Sequence, residues 1–135
     1  MPSGPKLRAE PMETPFRVVL VEPEIPPNTG SVARTCAATR CPLHLVGKLG
    51  FRNDEQSVRR AGLDYWHLVD VHVHPDLPDF EAKFPSARLH LFSANATRSY
   101  LEADFRPGDA LVFGKESVGL PEALLAAHPD RVWGI

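Results

Sequence analysis

Short apolar runs of strand length alternate with helical segments from Phe16 to the end of this 135-residue sequence. Most residues in each run are apolar, a pattern typical of strands that are covered on both faces. The alternation predicts an α/β fold in which a parallel sheet carries helices on both faces. The runs are FRVVLV (16–21), LHLV (43–46), VDVHV (69–73), LHLF (89–92) and ALVF (110–113), and RVWGI (131–135) begins a sixth.

Four segments between these runs have the features of helix ends. Thr29 has a side chain that can cap a helix, and Asn53 with Gln56 three residues later resembles a capping box. Pro121 suits the first position of a helix, because its fixed φ fits there. The predicted helices cover residues 29–39, 53–62, 76–84 and 121–127.

The length and composition favour one domain. A chain of 135 residues with 43% hydrophobic residues can bury one core and is too short for two ordinary domains. Residues 1–15 contain four prolines and no hydrophobic period, so we expect a flexible N-terminal tail followed by one domain over 16–135. The N-terminal run lacks the apolar centre of a secretion signal, so we expect a cytoplasmic protein.

Basic residues are concentrated in one segment, although the net charge of the chain is −2. Residues 34–60 contain six lysines and arginines against two acids, which is a local balance of +4. A localised positive segment is typical of a face that binds phosphates, and Arg34, Arg59 and Arg60 are its candidate contacts. A solvated charged loop is the alternative interpretation.

The cysteines and histidines do not form a recognisable metal site. Cys36 and Cys41 are five residues apart without a second pair, so we expect reduced, structural thiols. His72 and His74 would share one face of a strand, but two ligands do not make a site, and we interpret both as solvated. We therefore expect no bound metal.

The loop that follows the first strand is stiff. It reads EPEIPPNTGSVAR over residues 22–34, and its three prolines fix φ and donate no hydrogen bonds. Asn28, Thr29 and Gly30 then lead into a helix N-terminus, where free N–H groups favour an anion. Arg34 follows one turn after Gly30 and can grip a phosphate through two hydrogen bonds. An ordinary strand-to-helix loop with a surface arginine is the alternative.

A second loop follows the apolar run ALVF and reads GKESVGLP. Gly114 and Gly119 let the backbone approach a flat ligand closely and adopt positive φ. Such a loop can wrap an adenosine between apolar walls at Val118 and Leu120, while Glu116 can orient a neighbouring loop or a ribose hydroxyl. A plain tight turn is the commoner explanation of glycines at this spacing.

Three blocks follow one another in the chain, namely EPEIPPNTGSVARTCAAT, RRAGLDYW and LVFGKESVGLP. Together they resemble the blocks of the tRNA (cytidine/uridine wobble) 2'-O-methyltransferase family, a branch of the SPOUT superfamily, over residues 16–135. The resemblance implies transfer of a methyl group from S-adenosylmethionine to the wobble ribose in a tRNA anticodon stem-loop. It also implies a homodimer with a shared active site and a deep trefoil knot that holds the cofactor.

The resemblance implies roles for particular residues. Asn28 and Arg34 fall at positions for substrate binding and catalysis. We expect Arg34 to clamp a phosphate and stabilise negative charge on the 2'-oxygen. A guanidinium keeps its proton at neutral pH and therefore cannot accept another as a general base. RNA binding is expected of Arg34, Arg59 and Arg60. Cofactor contacts are implied for Phe92, Gly114, Glu116, Gly119, Leu120 and Ile135.

The sequence stops at Ile135 within an apolar run, whereas the family continues with a Pro-Met step, a loop of the S-x-N-x-S-N-A type and a final helix. We therefore expect a domain that lacks its C-terminal cofactor loop and helix, with an incomplete knot. Two alternatives stay open. One is a catalytically inactive RNA-binding or dimerisation module derived from this fold, and the other is a flavodoxin-like domain that binds a small molecule.

Overall fold

The apolar runs of the sequence form parallel strands. The computed structural model describes residues 15–24, 26–49, 68–115 and 117–135, with side chains for all of these except 26–28. The strands in these ranges are β1 (Arg17–Val21), β2 (Leu43–Val46), β3 (Val71–His74), β4 (Leu89–Phe92), β5 (Ala110–Phe113) and β6 (Val132–Trp133). The helices there are α1 (Pro26–Thr39), α2 (Leu77–Lys83) and α3 (Glu122–Ala127), with 3-10 turns at Tyr100–Glu102 and Pro129–Arg131.

The order of the strands decides which loops meet. The order across the sheet is β3-β2-β1-β5-β4-β6, and every pairing is parallel. At the centre, Leu20 of β1 lies opposite Leu45 on one side and Phe113 on the other. Because all these strands run in one direction, their carboxyl ends lie at the same edge of the sheet.

Alternate side chains of the strands enter two cores, one on each face of the sheet. Val19 belongs to a core that contains the fully buried Phe80 of α2, and Leu124 of α3 packs against it. The next residue, Leu20, belongs to the opposite core with Cys36 of α1. Burial of a side chain such as Phe80 stabilises the fold by about 3 kcal/mol. The predicted parallel α/β sheet with helices on both faces is confirmed.

The strand boundaries follow the sequence closely. The predicted runs 43–46, 89–92 and 110–113 coincide with β2, β4 and β5, and the other three strands differ from prediction by at most two residues at either end. The predicted helix over 53–62 lies outside the described residues, as does the predicted tail over 1–15 apart from Pro15. Among the residues described, no helix has the length and apolar character needed to cross a membrane.

Helix α1 begins three residues earlier than predicted. The sequence predicts Thr29 as the cap, whereas the helix begins at Pro26 and Thr29 is a buried residue within it. Proline is tolerated in a first helical turn, because the N–H groups there need no intrahelical partner and its fixed φ suits the helix. Two of the prolines that predict a stiff loop therefore belong to the helix.

A buried hydrogen-bond network runs under α2, and it corrects the prediction that His74 is solvated. His74 is only 2% exposed, and its Nδ1 lies 2.8 Å from Asp79 Oδ2. Its Nε2 lies 2.9 Å from Nδ1 of the fully buried His44, and Arg17 Nη1 lies 3.2 Å from His44 Nε2. His72 is half-buried and stacks on His44 with 4.6 Å between ring centroids. The prediction is wrong for His74, because neighbouring strands and α2 cover its ring, whereas 35% of the His72 side chain remains exposed.

The donors and acceptors determine which nitrogens of His44 and His74 carry protons. An arginine only donates, so His44 Nε2 must accept and His44 Nδ1 must carry the proton that it donates to His74 Nε2. His74 Nδ1 then carries the proton donated to the carboxylate. Both rings are neutral in this arrangement. Burial, with smaller effects from His72, His74 and Arg17, lowers the pKa of His44 to about 3.

A second polar cluster surrounds Asp109, which immediately precedes β5 and is 2% exposed. Asp109 Oδ2 accepts hydrogen bonds from His90 Nε2 at 2.7 Å, Arg88 Nη2 at 2.8 Å and the Arg106 backbone N–H at 2.9 Å. Trp133 Nε1 donates to His90 Nδ1 over 3.1 Å, so the proton of the neutral ring lies on Nε2. Burial raises the pKa of Asp109, but these hydrogen bonds outweigh it and lower the pKa to about 2.

Candidate functional site

The chain leaves β1 and β5 toward opposite faces of the sheet. Helix α1, which follows β1, packs on one face, and α3, which follows β5, packs on the other. Because β1 and β5 are neighbours, their loops diverge and leave a crevice between the carboxyl ends of the two strands. Open α/β sheets bind their ligands at such a switch point, which makes this crevice the candidate site.

The loop after β1 begins with an unusual backbone conformation. Glu22 has φ of 50°, a left-handed value that non-glycine residues seldom adopt, and its N–H donates to the Val46 carbonyl over 2.7 Å. Its side chain passes over Gly47, where an added Cβ would lie 2.8 Å from Glu22 Cγ. The contact with β2 and the missing side chain at Gly47 together keep the Glu22 carboxylate at the crevice.

The loop after β5 folds back on itself. Gly119 has φ of 73°, and its N–H donates to the Lys115 carbonyl over 2.8 Å. A Cβ on Gly114 would overlap the backbone of Gly119 and Leu120, so only glycine fits there. Leu120 is buried in the core, whereas Val118 at the tip is 74% exposed. The result is a narrow hairpin-like loop with an apolar tip.

Two carboxylates of the first loop hold the second loop. Glu22 Oε1 lies 3.2 Å from Lys115 Nζ, and Glu24 Oε1 accepts the backbone N–H of Ser117 over 2.9 Å. Hydrogen bonds from the side chain and then the backbone of Ser117 lower the pKa of Glu24, so the carboxylate form is favoured. The two sides of the crevice are therefore joined by groups that the sequence interpretation did not select.

Two adjoining cavities lie along these contacts. One has a volume of about 380 Å³ and is lined by Val21 and Glu22 on one side and by Lys115 and residues 118–122 on the other. The second, of about 270 Å³, is lined by Glu22, Glu24, Lys48, Leu49 and Lys115. The larger volume falls within the range of small-molecule sites, and its walls combine apolar side chains with a few charged groups.

The residues predicted to act on the substrate lie on α1. Arg34 is exposed, eight residues after Pro26 and thus about 12 Å along the helix axis from its start. The prediction that Arg34 stands one turn from the N-terminus is wrong, because the helix begins earlier than the sequence suggests. Asn28 belongs to the first turn of α1, and its side chain lies outside the described residues, as do Arg59 and Arg60.

The residues predicted to contact the cofactor lie at the ends of three neighbouring strands, β5, β4 and β6. Phe92 ends β4 and stacks on Phe113 with 4.7 Å between ring centroids, and Gly114 follows β5 directly. Ile135, 89% exposed, comes two residues after β6. Gly119 and Leu120 lie in the β5 loop, and Glu116 is outside the described residues. Strand order thus brings most of this predicted set to the carboxyl edge of the sheet.

Sequence reasoning missed Glu22, Glu24 and Lys115. A signal was present, since Glu22 and Glu24 are two residues apart at the end of a strand and in extended chain such residues face the same way. Which loop they face depends on strand order. Among the described histidines, cysteines and acids, no group of three or more is arranged to hold a metal ion.

The fold and crevice are those of an open parallel α/β protein with a candidate ligand site at its switch point. The SpoU rRNA Methylase family matches residues 15–133, which is most of the chain. This protein therefore belongs to the SpoU rRNA methylase family, and the assignment made from the three sequence blocks is confirmed at that level.

Named relatives agree with this assignment. The chain is 46% identical over 119 residues to the tRNA (cytidine(34)-2'-O)-methyltransferase of Burkholderia ambifaria, covering 86% of this chain and 76% of the relative. A solved structure from work on the 2-OH methylation of C/U34 on tRNA is 46% identical with a TM-score of 0.81, over 90% of this chain and 80% of that one.

A more distant structure supports the fold alone. The SpoU methyltransferase AviRb from Streptomyces viridochromogenes, solved in complex with the cofactor AdoMet, has a TM-score of 0.76 at 21% identity. The likeness covers all of this chain and 53% of that one.

Proposed function

We propose that this protein is an S-adenosylmethionine-dependent methyltransferase that modifies the ribose 2'-hydroxyl of the wobble nucleotide in a transfer RNA. The observation that carries the proposal is its 46% identity over 119 residues with a tRNA (cytidine(34)-2'-O)-methyltransferase. The crevice between β1 and β5 supports it, because it offers a small-molecule cavity whose lining includes Glu22, in the loop that leads into the helix of Arg34. We assign residues 16–135 to the methyltransferase domain.

The carboxyl edge of the sheet from β5 to β6 fits the cofactor. A Cβ at Gly119 would meet no atom within 4 Å, so bare backbone is open to a flat group such as adenine at this position. Val118, next to Gly119 in the chain, and Ile135, after β6, expose apolar surface at the same carboxyl edge of the sheet. We propose that Phe92, Gly114, Glu116, Gly119, Leu120 and Ile135 hold S-adenosylmethionine. When bound, the cofactor supplies a methyl group activated by its sulfonium charge.

Arg34 and Asn28 are the proposed catalytic residues. A ribose hydroxyl is a poor nucleophile until negative charge develops on its oxygen, and a guanidinium stabilises such charge without giving up its own proton. Arg34 grips the adjacent phosphate and orients the sugar, and Asn28 contributes to substrate binding. The hydroxyl proton passes to a substrate phosphate oxygen or to water.

Binding of the RNA is assigned to the basic segment 34–60, with Arg34, Arg59 and Arg60 as the contacts. The partner is the anticodon stem-loop of a tRNA, and the protein acts as a cytoplasmic homodimer that completes its active site between subunits. Affinity for the stem-loop should decrease as salt concentration rises, because phosphate neutralisation releases counterions.

The proposal is tested by incubating the protein with unmodified tRNA and methyl-labelled S-adenosylmethionine and mapping the label. We expect one 2'-O-methyl group at the wobble position. Stem-loop binding without affinity for S-adenosylhomocysteine would instead favour an RNA-binding module that lacks catalysis.

Charge variants test the RNA face separately. Replacing Arg59 and Arg60 by alanine should weaken stem-loop binding and flatten its salt dependence, whereas Arg106→Ala, an exposed arginine outside the basic segment, should leave both unchanged. Salt-insensitive binding by the unaltered protein would remove the basic segment from the proposal.

A further inference from the structure

We infer that Glu22 and Glu24 are positioning residues that clamp the glycine loop after β5 in the shape that receives the methyl donor. The inference rests on the proposed function and adds to it two residues outside the predicted catalytic and cofactor sets. Both carboxylates belong to the loop after β1, which leads into the helix of Arg34. The β1 loop would thus set the geometry of the cofactor loop.

The contact of Glu24 with Ser117 is the centre of the clamp. Residues 24 and 117 are separated by 92 intervening residues, yet Glu24 Oε1 lies 2.9 Å from the Ser117 backbone nitrogen. Ser117 and its neighbour Val118 form the exposed tip of the loop. A hydrogen bond to a charged acceptor is stronger than one between neutral groups, so it can hold an exposed tip that has little packing of its own.

Glu22 restrains the other end of the same loop. Its Oε1 lies 3.2 Å from Lys115 Nζ, next to the Gly114 position that admits no side chain. The left-handed backbone of Glu22 is a strained conformation, and the hydrogen bond to Val46 together with the space at Gly47 maintains it. Such strain at a site is expected where a side chain must be aimed at a particular target.

The two contacts differ in what a substitution should do. Glu24 acts as an acceptor for an N–H group, so glutamine at this position retains an acceptor oxygen and alanine does not. Glu22 acts as the negative member of an ion pair, so the sign of its charge matters. This difference allows each contact to be tested with a matched conservative or compensating change.

The experiment on Glu24 compares Glu24→Ala, Glu24→Gln and Glu81→Ala, an exposed glutamate on α2, in the full chain. Calorimetry should show about tenfold weaker S-adenosylhomocysteine binding for Glu24→Ala, because the charge-assisted hydrogen bonds from Ser117 to this carboxylate are lost. The KM for S-adenosylmethionine should rise similarly while kcat changes little. Glu24→Gln should recover most of the affinity, and Glu81→Ala should match the unaltered protein.

Hydrogen exchange of the Ser117 amide gives a readout that needs no cofactor. The amide should exchange faster in Glu24→Ala than in the unaltered protein, and Glu24→Gln should restore protection. Unchanged exchange and unchanged affinity in Glu24→Ala would refute the clamp, as would equal losses in both Glu24 variants. If the unaltered protein ignores S-adenosylhomocysteine, the proposed function fails, and the exchange comparison still decides whether Glu24 holds the loop.

A charge swap tests the Glu22 contact. Glu22→Lys should weaken S-adenosylhomocysteine binding through repulsion of Lys115, and adding Lys115→Glu should restore part of the lost affinity, since the opposite charges then face each other again. Losses that simply add in the double variant would show that the pair does not position the loop.

Discussion

Acidification should destabilise this protein through the buried imidazole of His44. The ring accepts a hydrogen bond from Arg17 and donates one to His74, so an added proton would place two donors against each other. The same hydrogen-bond network continues to Asp79, which accepts from His74, and Lys83 Nζ lies 3.0 Å from Asp79 Oδ2. Burial is the largest cause that lowers the pKa of His44 to about 3.

The magnitude follows from the difference between the folded and unfolded pKa values of this one group. An unfolded histidine has a pKa near 6.5. Between pH 6.5 and about 3, His44 is therefore protonated in the unfolded chain and neutral in the folded protein. The stabilising effect is therefore complete above pH 6.5 and is lost as pH falls. A pH of 5 lies about 1.5 pH units below the unfolded pKa. At that pH the free energy of unfolding should be roughly 2 kcal/mol below its value at pH 8.

Urea denaturation followed by circular dichroism at pH 8, 7, 6 and 5 measures this loss. His44→Gln is the informative variant, because its amide oxygen can accept from Arg17 and its amide nitrogen can donate to His74 without titrating. It should be less stable at pH 8 but lose about 2 kcal/mol less between pH 8 and 5. His128→Gln, in a partly exposed histidine, serves as control. Equal pH slopes in His44→Gln and the unaltered protein would refute the argument.

Four further substitutions give testable outcomes. Asp109→Asn should lower the free energy of unfolding by about 3 kcal/mol in urea denaturation, because it removes the charged acceptor of a buried cluster. In urea denaturation, Gly114→Ala should lower the free energy of unfolding by roughly 3 kcal/mol or more, because its Cβ would overlap the backbone of Gly119 and Leu120, whereas Gly119→Ala should lower it by only about 1 kcal/mol; equal losses in the two variants would contradict the loop description. Arg34→Ala should abolish tRNA methylation and leave cofactor affinity nearly intact, and normal turnover would exclude Arg34 from the mechanism.

The positions of the strands could be predicted because most residues of a parallel strand buried on both faces are apolar. The run 110–113 is identical to β5 for this reason, and the glycines that follow it mark the loop. The start of α1 was harder to locate, since proline is compatible both with a rigid loop and with a first helical turn. Only the packed chain distinguishes these two uses of Pro26 and Pro27.

The sequence by itself determined the α/β class, the family and the two loops that carry the proposed chemistry, because these depend on local pattern and on motifs contiguous in the chain. The tertiary structure decided that β1 and β5 are neighbours, that Glu24 reaches Ser117 and that His44 and His74 are buried. Each of these facts depends on residues far apart in sequence whose pairing follows from strand order. Local pattern carries no information about which strand lies beside which.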